Sequence, residues 1–175
     1  MAYAEILELN RRQPRRDASG PQLARATDAL ATPMTGAASF LAYLGAAPLL
    51  AAALGMIAYP ASGAEAFLVL YGAALLIFFG GVRWGVAVMK PAGPTARALL
   101  GAGLPMLAAL PLFAPGGAPL KMLVIMALML ALLVDDLSAT RRGDGAPAWY
   151  LGVRVPLTVL IEVAFLVAIA AGMRG

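Results

Sequence analysis

Phe78-Phe79-Gly80-Gly81-Val82-Arg83-Trp84-Gly85 sets one arginine and three glycines inside a run of about residues 65–89 that is otherwise apolar after Glu65. An α-helix rises about 1.5 Å per residue, so about 20 apolar residues cross the ~30 Å hydrocarbon core of a bilayer. The run therefore reads as a transmembrane helix with a permanent charge inside it. Working outward, four more apolar runs are found at about residues 36–59, 96–114, 120–134 and 153–173. The fold expected is all-α: a five-transmembrane-helix bundle over residues 35–175, preceded by a basic, flexible cytoplasmic tail over residues 1–34.

Composition agrees. Hydrophobic residues make up 62% of the chain, against about 45–50% in soluble domains, and mean hydropathy is +0.85. Histidine and cysteine are absent. That excludes disulfides, cysteine nucleophiles, iron–sulfur ligation and histidine-ligated haem or zinc, and it removes the commonest general base. No catalytic residue, cofactor or metal ligand is expected from the sequence. Five of the thirteen cations fall in the first 25 residues. No aromatic residues interleave with them as in a nucleic-acid site, so they read as a membrane orientation signal.

Prolines punctuate the spans. Pro48 is expected to kink the first, Pro105 and Pro111 interrupt the third, and Pro156 is expected in the first turn of the fifth, where proline is tolerated. The fourth helix is compatible with continuation beyond the apolar run to Thr140. Residues 1–9 form a weak amphipathic pattern suited to a membrane surface. Five spans put the termini on opposite sides. Ten cations fall on the N-terminal side and only Lys121 and Arg174 on the other, with Arg83 left inside. The positive-inside rule then gives a cytoplasmic N-terminus and an outside C-terminus, in a multi-pass protein of a bacterial inner membrane. There is no internal repeat of the kind common in secondary transporters.

Few polar residues lie in the spans. Arg83 shares a helix face with Gly72, Leu76, Gly80 and Ala87, while Gly81 and Gly85 form a small-residue pair on the opposite face. Small residues let backbones approach closely, so Gly80, Gly81 and Gly85 are candidate packing positions and the second span is expected to sit centrally. Arg83 either snorkels to the headgroups or meets an acid from Asp135, Asp136 or Glu162. Glu162, at a depth expected to match that of Arg83, either pairs with Arg83 or accepts a bond from Thr158 one turn earlier. Asp135 and Asp136 end the fourth apolar run, where acids oppose the helix dipole. The helix must therefore continue, or cations such as Arg83, Arg97 or Arg154 must lie near. Trp149 and Tyr150 read as an aromatic belt before the fifth span, and Trp84 as a second belt residue or a ring stacked on a guanidinium.

Several of these residues recur together. Leu44-Gly45-Ala46-Ala47-Pro48, Tyr71, Phe79-Gly80-Gly81-Val82-Arg83-Trp84-Gly85, Asp135-Asp136, Arg141-Arg142-Gly143, Pro147-Ala148-Trp149-Tyr150, Arg154, Leu157 and Thr158 resemble, in order, the transmembrane protein 69 family. These are small bacterial and mitochondrial integral membrane proteins carrying a domain of unknown function. The resemblance spans about residues 38–172. It implies a five-helix inner-membrane protein and carries over no substrate and no catalytic residue.

Three functional classes follow. The leading one is a non-enzymatic accessory or assembly component of a membrane complex. The others are a small-solute or proton transporter or channel, working as an oligomer, and a lipid head-group binder or enzyme using Asp135, Asp136 and nearby arginines. The partners expected are membrane lipids, with a membrane protein partner or a second copy of the chain, and no nucleic acid.

Overall fold

A computed structural model describes residues 33–59, 63–90, 92–143 and 145–174. The basic tail and its amphipathic segment at residues 1–9 lie outside the described residues. Among the described residues five α-helices follow one another: α1 (Pro33–Ala58), α2 (Ala64–Val88), α3 (Ala96–Ala109), α4 (Ala118–Arg141) and α5 (Ala148–Gly172). Between α3 and α4 the chain tightens into a 3-10 turn, Leu110–Phe113. Among the described residues there is no strand, and five helical segments are long and apolar enough to cross a membrane. The protein is a multi-pass membrane protein.

The prolines act differently from one another. Pro48 and Pro105 sit inside continuous helices. Pro111 falls at the second residue of the 3-10 turn, where its missing N–H removes one helical bond and the tighter turn absorbs the loss. Pro156 is not in a first turn. Helix α5 starts at Ala148, so Trp149 and Tyr150 belong to its first turn and Pro156 lies more than two turns in. The apolar run had marked where hydrophobicity begins, whereas the helix begins in the interfacial residues before it. Helix α4 likewise continues beyond the apolar run to Arg141.

Helix α2 is central, as its small residues imply: it packs on α1, α3 and α4, while α5 packs on α1 and α4. Close approach needs glycine at two α2 positions. A methyl group on Gly72 would lie 2.6 Å from the Phe165 ring and 3.0 Å from Ile125. One on Gly80 would lie 2.7 Å from the Ala102 carbonyl oxygen of α3. Helices α1 and α5 meet along rows of buried small residues, Ala46 and Ala53 against Ala164, Ala168 and Ala171, with Leu49, Met56 and Phe165 filling the core. Tyr71 ties α2 to α1 by donating a hydrogen bond to the Gly45 carbonyl at 2.5 Å.

The other small-residue face of α2 is different. A methyl group on Gly81 or Gly85 would meet nothing within 4 Å. Phe78 and Trp84 beside them are exposed, at 60% and 50%. Among the described residues, only one of the two small faces packs against a neighbouring helix.

Candidate functional site

The C-terminal ends of α2 and α4 and the N-terminal ends of α3 and α5 converge at one end of the bundle. There the few polar residues meet. Arg83 of α2 forms an ion pair through Nη2 with Asp135 of α4, and its Nε lies 3.3 Å from Asp136 Oδ1. The Asp136 carboxylate also accepts from Arg154 Nε of α5 at 3.4 Å. Asp136 thus bridges two arginines on two different helices. The expectation that Arg83 meets an acid is met by Asp135 and Asp136. The side chain of Arg83 is 18% exposed, so it is turned inward rather than snorkelling freely.

Arg154 is wholly buried. A guanidinium in that setting needs compensation, because the desolvation of an ion costs several kcal/mol. Asp136 supplies part of it. The Phe79 ring supplies more, with the guanidinium carbon 3.4 Å from the ring centroid, so that the negative face of the ring meets the cation. Sequence reasoning proposed Trp84 for such stacking. Among the described residues the ring that does it is Phe79, and Trp84 faces outward. Nothing in the spacing distinguished Phe79 from an ordinary core aromatic. Trp149 and Tyr150 pack edge to face at 6.3 Å, and Tyr150 turns toward the cluster.

Glu162 does not join it. Counted from Ala148, it lies fourteen residues into α5, about 21 Å along the helix. Arg83 lies five residues before the end of α2, about 8 Å from it. The two depths do not match, because α5 begins earlier than its apolar run. Thr158 donates its hydroxyl to the Arg154 carbonyl at 2.9 Å rather than to Glu162. Both carboxylate oxygens of Glu162 are buried without a hydrogen-bond partner among the described residues.

Beside the cluster lies a cleft of about 600 Å³. Helices α3 and α4 both lean on α2 and make little contact with each other, and the cleft occupies the space between them. Among the described residues its charged lining is Arg83, Lys90, Arg97 and Arg142 against Asp135 and Asp136, a surplus of two cations. The start of α3 also faces it: Thr95 and Arg97 line the cleft, and Thr95 caps that helix by accepting from the Ala98 N–H at 3.2 Å. A helix N-terminus favours anions. Toward the bundle middle the wall becomes apolar, with Leu100 and Leu104, both more than half exposed. The cleft is thus cationic at its mouth and greasy along its side. Sequence reasoning named Arg97 as a neighbour of the aspartates, whereas Lys90 and Arg142 counted toward orientation and were not placed beside it. Their convergence depends on the lean of α3, which no spacing in the chain encodes.

A family model described as protein of unknown function (DUF3429) matches residues 34–171. No curated protein and no solved structure matches the chain.

Proposed function

For this chain, which belongs to the family described as protein of unknown function (DUF3429), we propose a binding role. The cleft between α3 and α4 receives a phosphate-bearing lipid head group, and the exposed leucines receive the start of its acyl chains. The observation that carries this reading is the juxtaposition of Arg97, Arg142, Lys90 and Arg83 with an apolar wall in one cavity. Phosphate oxygens accept charge-assisted hydrogen bonds from such cations. The role is non-catalytic in this reading, since the chain has neither histidine nor cysteine and its two cleft carboxylates are engaged by arginines. Native mass spectrometry from mild detergent tests it. The parent protein should retain an anionic phospholipid, and an Arg97→Glu, Arg142→Glu double variant should lose it. Equal retention by both overturns the proposal. Displacement of the lipid by inorganic phosphate alone would identify a small anion as the ligand instead.

A second reading is favoured by a separate observation. Among the described residues, nothing lies within 4 Å of a methyl group placed on Gly81 or Gly85 of α2, which suits an accessory component docked on another membrane protein. Gly81→Leu and Gly85→Leu should then release a co-purifying protein while the chain stays folded. Purification of the parent chain alone removes this reading. The ten-to-two distribution of cations supports a bacterial inner membrane, with the cleft end and N-terminus cytoplasmic and the C-terminus outside. A C-terminal reporter fusion active only in the cytoplasm would refute that orientation. Kinship with the transmembrane protein 69 family stays part of this reading, on the residues already quoted.

A further inference from the structure

Every fourth residue from Tyr150 to Glu162 on α5 is polar: Tyr150, Arg154, Thr158 and Glu162. Residues four apart stack on one side of an α-helix, about 6 Å from one to the next. They form a ridge running from the cleft, which Tyr150 lines, to the middle of the longest apolar stretch of α5. Below Glu162 the ridge ends in Leu166, which is exposed.

Polar atoms on this ridge lack partners. Arg154 uses Nε on Asp136, but its Nη1 and Nη2 are buried with no hydrogen bond among the described residues. The same holds for both oxygens of Glu162. Thr158 donates its hydroxyl hydrogen to Arg154 and keeps its oxygen as an acceptor. Buried polar groups in native proteins are satisfied by protein or by water. Among the described residues, side chains do not supply what Glu162 needs. Helix α1 carries no charged residue and, within its span, only Tyr43 as a titratable one. Helix α4 brings Lys121 near its far end and Asp135 and Asp136 at the cleft end. Helix α2 brings Glu65 at its far end, Tyr71, whose hydroxyl is bound to Gly45, and Arg83, which is paired with the two aspartates.

We propose that Glu162 is a proton-binding site in the middle of the membrane, reached from the cleft by water held along the ridge of Tyr150, Arg154, Thr158 and Glu162. The ridge offers donors at Arg154, an acceptor at Thr158 and acceptors at Glu162, and a buried water needs two to four such partners. An unpaired carboxylate in an apolar interior takes up a proton rather than remain charged. Arg154 lies between the entrance and the acid. Its fixed charge is a barrier to every cation on that route, the proton included, so exchange along the ridge is slow rather than conductive.

Infrared spectroscopy of the protein in lipid bilayers at neutral pH tests this. The difference between parent and Glu162→Gln should contain the C=O band of a protonated carboxyl group. That band should shift within seconds of transfer into heavy water. Thr158→Val should slow the shift by about tenfold, the rate equivalent of one lost hydrogen bond. Labelling the parent with ¹³C-glutamate moves the same band without any substitution, separates it from Asp135 and Asp136, and keeps the test intact if Glu162→Gln does not fold. Absence of the band means an ionised Glu162 and overturns the proton site. A band that does not shift over hours means a sealed acid and overturns the water route. An unchanged rate in Thr158→Val overturns the ridge as that route.

Discussion

The cleft end of the bundle and the middle of α5 both hold ionisable groups among apolar helices, and they accommodate them in opposite ways. At the cleft end two arginines share two aspartates, and a phenyl ring covers the buried guanidinium. In the middle of α5, Glu162 has no protein partner among the described residues. A charge near a helix end can recruit acids from the neighbouring helix end, where α4 runs beyond its apolar stretch and delivers Asp135 and Asp136. Glu162, at mid-depth in α5, has no such helix end beside it. The first region should be sensitive to the loss of its buried partners, and the second should tolerate or welcome the loss of its polar group.

The largest effect is expected at Asp136. It is 12% exposed and serves both arginines, so Asp136→Ala strands Arg154 in the interior. Breaking a buried pair from one side costs about 3–5 kcal/mol. The midpoint of denaturant unfolding in mixed micelles should fall accordingly. A loss no greater than that of Asp135→Ala would show that the Phe79 ring alone suffices for Arg154.

Arg83→Ala comes next. Its removal leaves Asp136 still paired with Arg154 and leaves Asp135 to water, so the loss should lie between those of the two aspartate variants. Arg83→Lys should recover part of it, because an ammonium replaces one point of a planar fork that spans two carboxylates. Full recovery in the same unfolding measurement would mean that only charge matters there. Asp135→Ala is the mildest of the three. Asp135 is 48% exposed, and exposed ion pairs contribute about 0–1 kcal/mol. A loss near that of Asp136→Ala would erase the distinction between these adjacent acids.

The sequence made some of this legible. Apolar runs located all five helices, because length and hydropathy alone decide whether a segment crosses a bilayer. An acid partner for Arg83 was among the expectations, with Asp135, Asp136 and Glu162 all open; the choice of the two aspartates was not legible, since α4 runs past them to Arg141. The central place of α2 followed from its glycines, yet the pattern could not say which face is used: a methyl group on Gly80 would strike α3, and one on Gly81 would meet none of the described residues within 4 Å. The start of α5 was misplaced, because its first turn is built from interfacial residues that hydropathy reads as outside. The Phe79 contact, the cleft and the isolation of Glu162 stayed hidden. Each depends on helix rotation and tilt, which are set by packing between segments distant in the chain.

The smallest expected effect on stability, and the one that sharpens the contrast most, is at Glu162. If its carboxyl group has no protein partner, Glu162→Leu removes a buried polar group and leaves no counter-charge stranded. Leucine fills a similar volume and is at home among the apolar residues of a membrane span. The unfolding midpoint should stay level or rise by about 1 kcal/mol, the low end of what an unsatisfied buried polar group costs. A hidden ion pair predicts the reverse, a fall of about 3–5 kcal/mol from the stranded partner. The same variant made alongside Asp136→Ala gives a further check. Groups that share no partner should add within about 0.5 kcal/mol. A larger coupling would mean that Glu162 reaches the arginine cluster after all, through a rearranged Arg154, and the two regions would then be one.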